Sequence, residues 1–252
     1  MRRVATVITF ILFAAFIVPA QKASPADTVV NFYRALKEKK YVEGFRHSVY
    51  KGAIEGLSAA ELQELEPDFA RTSAEIPNKI EVKGEQVNGE AAIVFLKFEG
   101  SEETQPVAVI RLNGEWLVGD HEALQMVQQQ GRSFFFNSRM VVNEQEVINL
   151  ISRIYGAQLI YAKQFGGRYL NLSELVSKQA VSKDVEDGEA NGYKFTLTVG
   201  ADKLSFSLTA VPNVYGKSGK LSFYLDPQGL RAEDLKGQPA TDKSPLFQPK
   251  QD

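Results

Sequence analysis

His47 and His121 are the only imidazoles in the 252-residue chain, and cysteine is absent. Thiolate metal sites, Cys nucleophiles, disulfide scaffolds and lipid attachment through an N-terminal Cys are thereby excluded. Neither histidine belongs to a ligand spacing such as H-x-x-x-H, so no metal and no cofactor is expected. Asp120 and His121 adjoin at the end of an expected strand, where they would do acid/base chemistry only if they faced a pocket. The plainer reading of the pair is solvated turn chemistry. No G-x-S-x-G elbow occurs. Gly216-Lys217-Ser218-Gly219-Lys220 looks like a phosphate loop until Val211 is found where its first glycine should stand; it reads as a hairpin turn. Asp184, Glu186, Asp187 and Glu189 could offer oxygens to calcium but lack the D-x-D-x-D-G order, so a solvated acidic loop is expected. Asn171-Leu172-Ser173 matches a glycosylation acceptor. No catalytic residue is assigned.

What remains is binding chemistry. Tyr33, Phe69 and Trp116, with Phe32, Phe95 and Phe98, are aromatic residues that a curved sheet and its covering helices would bring around one cavity. Asp120 or His121 would be its polar group. Filling of the core by those same rings is the competing outcome. Phe134-Phe135-Phe136 is expected to be buried between domains, since large exposed apolar patches are uncommon.

Composition narrows the class. With 29 Lys+Arg against 31 Asp+Glu, a net charge of -2 and 44% hydrophobic residues, the chain can pack cores but offers no basic face for nucleic acid. Arg2 and Arg3 precede an uncharged run from Val4 to Val18-Pro19-Ala20, the pattern of a secretory signal peptide over residues 1–20. A periplasmic or secreted location follows. The alternative is a membrane anchor formed by an uncleaved residue 1–20 segment, the chain's one expected membrane contact.

The elements that would position these residues have two periods. Ser24-Pro25-Ala26-Asp27 is a capping box with Pro at the first helical position, and Val29, Phe32, Tyr33 and Leu36 form one apolar stripe. A short helix is expected around 41–50. A second box, Ser58 to Glu61, leads a helix that Pro67 should kink or split. From Asn78 the period falls towards two: strands at 80–87, 91–98, 107–112 and 116–119 flank Asn88-Gly89 and Asn113-Gly114, forming two hairpins. After a linker or short helix at 123–142, a helix is expected over 143–165, stopped by Gly166-Gly167. Strands at 193–199, 203–211 and 219–226 follow. The proline-interrupted segment 233–252 reads as a disordered tail. The fold class is α+β: two small domains, 24–122 and 143–232, each with helices packed on an antiparallel meander.

The first domain resembles the small extracytoplasmic members of the nuclear-transport-factor-two-like superfamily. The resemblance rests on Ser24-Pro25-Ala26-Asp27-Thr28-Val29-Val30-Asn31-Phe32-Tyr33, the Val87-Asn88-Gly89-Glu90 hairpin and Val109 to Val118. It implies a cone-shaped α+β fold found in ligand carriers, isomerases and domains without known activity. The second domain resembles the globular part of bacterial type IV pilins and pseudopilins. That resemblance rests on Tyr161 to Tyr169, Leu172-Ser173-Glu174-Leu175, Gly192-Tyr193-Lys194-Phe195 and Leu221 to Asp226. The apolar N-terminal run contains neither the Gly-Phe junction nor the Glu through which pilins enter filaments, so the usual assembly route is not expected. Together these features imply a non-enzymatic extracytoplasmic interaction protein whose partners are envelope or secreted proteins of pilus or secretion machinery. The alternative is a carrier or isomerase for a small hydrophobic molecule. The oligomeric state cannot be read from the sequence.

Overall fold

The computed structural model describes residues 23–248. The expected signal segment lies outside the described residues. Within 23–248 the chain is α+β, with two antiparallel sheets, each covered by helices.

Helix α1 (Pro25–Lys37) starts at the expected box: Ser24 Oγ accepts the Asp27 amide at 3.1 Å, and Asp27 Oδ2 accepts the Ser24 amide at 3.1 Å. The expected helix around 41–50 is two short ones, α2 (Tyr41–Arg46) and α3 (Lys51–Glu55), separated by Ser48, which bridges to Val118 of the sheet. Helix α4 (Ala59–Ala74) runs unbroken through Pro67, contrary to a split. Pro67 lies on its exposed face.

The first sheet has the order β1 (Ile80–Asn88), β2 (Ala91–Phe98), β3 (Thr104–Leu112), β4 (Glu115–Val118). Its two tight turns differ. At Asn113-Gly114 both central residues take positive φ, 51° and 81°, as a type I′ hairpin requires. At the other hairpin Asn88 pairs with Ala91, so the turn is Gly89-Glu90 rather than Asn88-Gly89, and only Gly89 is left-handed at 61°. Ala92, Val94, Leu96 and Val109 point into a core with Val29, Phe32, Ile54, Leu65 and Phe69.

Of the linker or short helix expected at 123–142, it is the helix that forms. Helix α5 (His121–Gln130) and a short 3₁₀ turn lead into α6 (Phe134–Gln164), whose 31 residues rise about 46 Å. Its first turns give Phe135 and Phe136 to the first core, while Val147, Leu150, Ile151 and Ile154 belong to the second. A segment carrying three adjacent phenylalanines gains more from burial than it could in an open linker. Gly166 and Gly167, both at positive φ, end α6, with the Gly167 amide donating to Ala162 O at 2.7 Å.

Helix α7 (Leu172–Ser177) and a five-stranded meander complete the chain: β5 (Glu189–Ala190), β6 (Tyr193–Val199), β7 (Phe206–Pro212), β8 (Ser222–Asp226) and β9 (Gly229–Glu233). Strand β5 is too short for alternation to reveal it, and β9 does not alternate, all five of its residues being half-buried. The expected disordered tail lies along β9 as far as it is described. Ala232 N donates to Pro245 O at 3.1 Å and Phe247 N to Leu230 O at 2.9 Å, burying Ala240 and Ser244. Prolines that forbid a helix are compatible with such an irregular strand-edge contact.

The Phe135 ring lies 5.1 Å from Phe45 and 5.1 Å from Phe69, centroid to centroid. Phe135→Ala is expected to destabilise the protein by about 3–5 kcal/mol, read from the urea midpoint at unchanged slope.

Candidate functional site

The five sequence candidates do not line one pocket. Tyr33, on α1, packs edge-on against Phe98 at 6.0 Å and borders a 310 Å³ cleft near Pro77; burial raises its phenol pKa. Phe69, on α4, is buried and borders a separate 470 Å³ cleft beside Tyr41 and Leu62. Trp116, on β4, lines a third cleft of 530 Å³. Asp120 is the N-cap of α5, accepting the Ala123 amide at 2.8 Å, and His121 is exposed at the first helical position. The expected common cavity is occupied by rings: Phe32, Phe45, Phe69 and Phe135 meet at 5.1–6.3 Å between the helices and the sheet. Phe135 is the ring that sequence reasoning placed between the domains rather than inside the first one.

The Trp116 cleft is built from four elements. Thr28 of α1, Arg46 and His47 at the end of α2, and the β3–β4 turn surround it, with Lys51 of α3 at the rim. A two-bond ladder fixes His47: Val118 N donates to His47 O at 2.9 Å, and Val49 N to Val118 O at 2.9 Å. This ladder explains Gly119, which takes φ 124° with Val49 so close that an added Cβ would lie 2.5 Å from a methyl. Arg46 Nε donates to Glu55 at 3.0 Å, and Lys51 Nζ to Glu115 at 3.3 Å. Arg111, paired across the strands with Trp116, places its guanidinium carbon 5.6 Å from the indole centroid. Its buried Nε has no partner among the described residues. Beyond the Lys51–Glu115 pair lies a 440 Å³ groove bordered by Leu112, Leu117, Leu124 and Val127.

A second constellation joins the two halves of the chain. Glu61, Glu64 and Asp68 form a stripe on α4, facing Arg132, Arg139 and Lys217. Arg139 donates through Nη2 to Asp68 Oδ2 at 2.6 Å and to Glu64 O at 2.7 Å, while Lys217 Nζ reaches Glu64 Oε2 at 2.6 Å. Both cations also lie over the Phe136 ring, at 5.2 and 5.0 Å. Lys217 comes from the glycine-rich turn, which α6 holds in place: Asn143 Nδ2 donates to Ser218 O at 2.9 Å, and Glu144 accepts the Lys220 and Leu221 amides. Sequence reasoning discarded that turn as a failed phosphate loop and missed this role. The i, i+3, i+7 spacing of the three carboxylates was the available signal.

Among the described residues no three His, Asp or Glu side chains are grouped as metal ligands, and no helix is long and apolar enough to cross a membrane.

No protein-family model matches the chain, and no curated protein matches it. A solved structure from Campylobacter jejuni, provisionally named an NTF2-like transpeptidase, aligns over 38% of this chain and 97% of its own. The identity is 18% and the TM-score 0.27, a level at which the alignment carries no argument.

Two predictions follow from the capping and charge geometry. Asp120→Ala should cost about 0.5–2 kcal/mol in urea unfolding, with Asp120→Asn near neutral and His121→Gln within about 0.5 kcal/mol. The Ser58 amide, then Arg132 and the Ser58 hydroxyl, hold the Glu61 carboxyl down from 4.5 to about 2. A depressed folded-state pKa gives stability that is full above pH 4.5 and is lost as pH falls towards 2. Glu61→Gln should flatten that part of the stability–pH curve.

Proposed function

We propose that this is a non-enzymatic extracytoplasmic protein presenting two fused α+β modules to protein partners of a bacterial envelope. The observation that carries the reading is the insertion of Phe135, which commits the aromatic interior of the first module to packing and ties it through α6 to the second. The signal-like residues 1–20 support the location, with release after Ala20 as part of the proposal. The nuclear-transport-factor-two-like and pilin-like resemblances support the module types, and the pilin-like one makes pilus or secretion machinery the specific setting.

The partner face is the end of α6. Phe165 and Leu204 are exposed at 54% and 57%, Leu204 lies beside Gly167, and Phe165 stacks on Tyr161. Exposed apolar side chains of this size mark contact surfaces when they gather in one region.

The test is crosslinking in intact producing cells followed by purification of the tagged chain. A reproducible envelope or secreted protein should be captured by the parent and reduced at least five-fold by Phe165→Glu with Leu204→Glu. Capture that is unchanged by those charges, or no reproducible partner, would sink the reading. The denatured mass of the same sample should lack residues 1–20.

A further inference from the structure

We infer that the Trp116 cleft binds a small organic anion with a planar apolar body. This site is separate from the ring-filled interior and from the α6 surface, so it goes beyond the partner-binding reading. Its volume of 530 Å³ lies within the range of about 300–1,000 Å³ for small-molecule sites. One wall is the half-buried Trp116, whose exposed part gives a planar group an aromatic surface to meet. Arg46 and Lys51 stand at its border, Arg111 lies over the same indole, and His47 is half-buried in the wall.

Glu115 lines the cleft and Glu55 is bonded to Arg46 at its border, each carboxylate already engaged by one of those cations. Both pairs are exposed, with side-chain exposures of 56% and 42% for Arg46 and Glu55, and 41% and 68% for Lys51 and Glu115. Solvent and salt screen exposed pairs of this kind, so a ligand anion can take over their donors at little cost. Arg46 commits only Nε to Glu55, which leaves the two terminal nitrogens of its fork for a carboxylate or sulfonate. The β4 ladder and Gly119 hold the His47 backbone and the strand carrying Trp116 in register, so the cleft is set before any ligand arrives. A chain of net charge -2 gives a long polyanion no wider basic track to follow, and the ligand class is therefore a small molecule.

Trp116 is the chain's single tryptophan, so its emission reports from one known position, in the wall of this cleft. The full chain would be titrated with 8-anilinonaphthalene-1-sulfonate and, separately, with uncharged N-phenyl-1-naphthylamine, following quenching of Trp116. The expected result is saturable quenching by the sulfonate, at least ten-fold tighter than by the uncharged probe. R46Q/K51Q, checked by circular dichroism for an unchanged fold, should weaken the sulfonate at least five-fold and leave the uncharged probe alone. Equal binding of the two probes, or sulfonate binding unaffected by R46Q/K51Q, would reduce the cleft to apolar surface and overturn the proposal. Absence of saturable quenching would overturn it as well. Partner capture plays no part in this readout, so the two proposals fail independently.

Discussion

The structure depends on one side chain being in an unexpected place. Phe135 enters the first core from α6, a helix whose other half is the spine of the second core. A ring at 5.1 Å from both Phe45 and Phe69 has no room to withdraw without leaving a void, and voids of aromatic size cost several kcal/mol. Because α6 is continuous from Phe134 to Gln164, the position of that ring fixes where the second sheet begins. Two modules that could have hung on a flexible tether are thereby held through a shared helix.

Charge then selects one orientation about that helix. Burial of Phe135 and Phe136 is non-directional, but the Arg139 guanidinium meets Asp68 and the Glu64 carbonyl through defined donors. Arg139 is largely buried, with a side-chain exposure of 13%, and its partners are within one turn of each other on α4. Lys217 adds a contact from the far module to the same Glu64. These bonds are anchored at both ends. Asn143 and Glu144 hold the turn that carries Lys217, and Gly192 and Gly219 leave the space that the neighbouring Asn143 and Tyr193 side chains occupy.

What could be read from the sequence follows the range of the forces involved. The capping boxes at Ser24 and Ser58, the meander of the first sheet and the glycine stop after Phe165 are local: each is decided by residues within one turn or one hairpin. The α+β class follows from them. Short-range chemistry also misplaced one turn by a residue, because Asn88 continues the ladder to Ala91 and leaves the left-handed position to Gly89. The larger errors concern long-range burial. Residues 123–142 look like a linker because their polar glutamines precede an aromatic run with no visible partner. The tail looks unordered because its prolines forbid regular structure, yet an edge strand can accept irregular backbone partners. Of the five binding candidates, Tyr33, Phe69 and Trp116 each border a different cleft, and nothing in their spacing shows that a phenylalanine from beyond position 130 packs against Phe69 in the core.

That separation shapes what the first module can do. Helices packed on one face of a sheet leave two places for a ligand: the interior, and the rim where the sheet's last strand meets the ends of the helices. Filling the interior with Phe135 strengthens the joint between modules and removes the apolar space a buried hydrophobic molecule would need. It leaves the rim untouched. There the short Ser48–Val118 bridge brings the end of α2 against β4, so Arg46 and His47 stand beside the indole of Trp116 rather than over a buried cavity. The polar, cationic and half-open lining of that cleft is therefore a consequence of the bridge that sets α2 against β4.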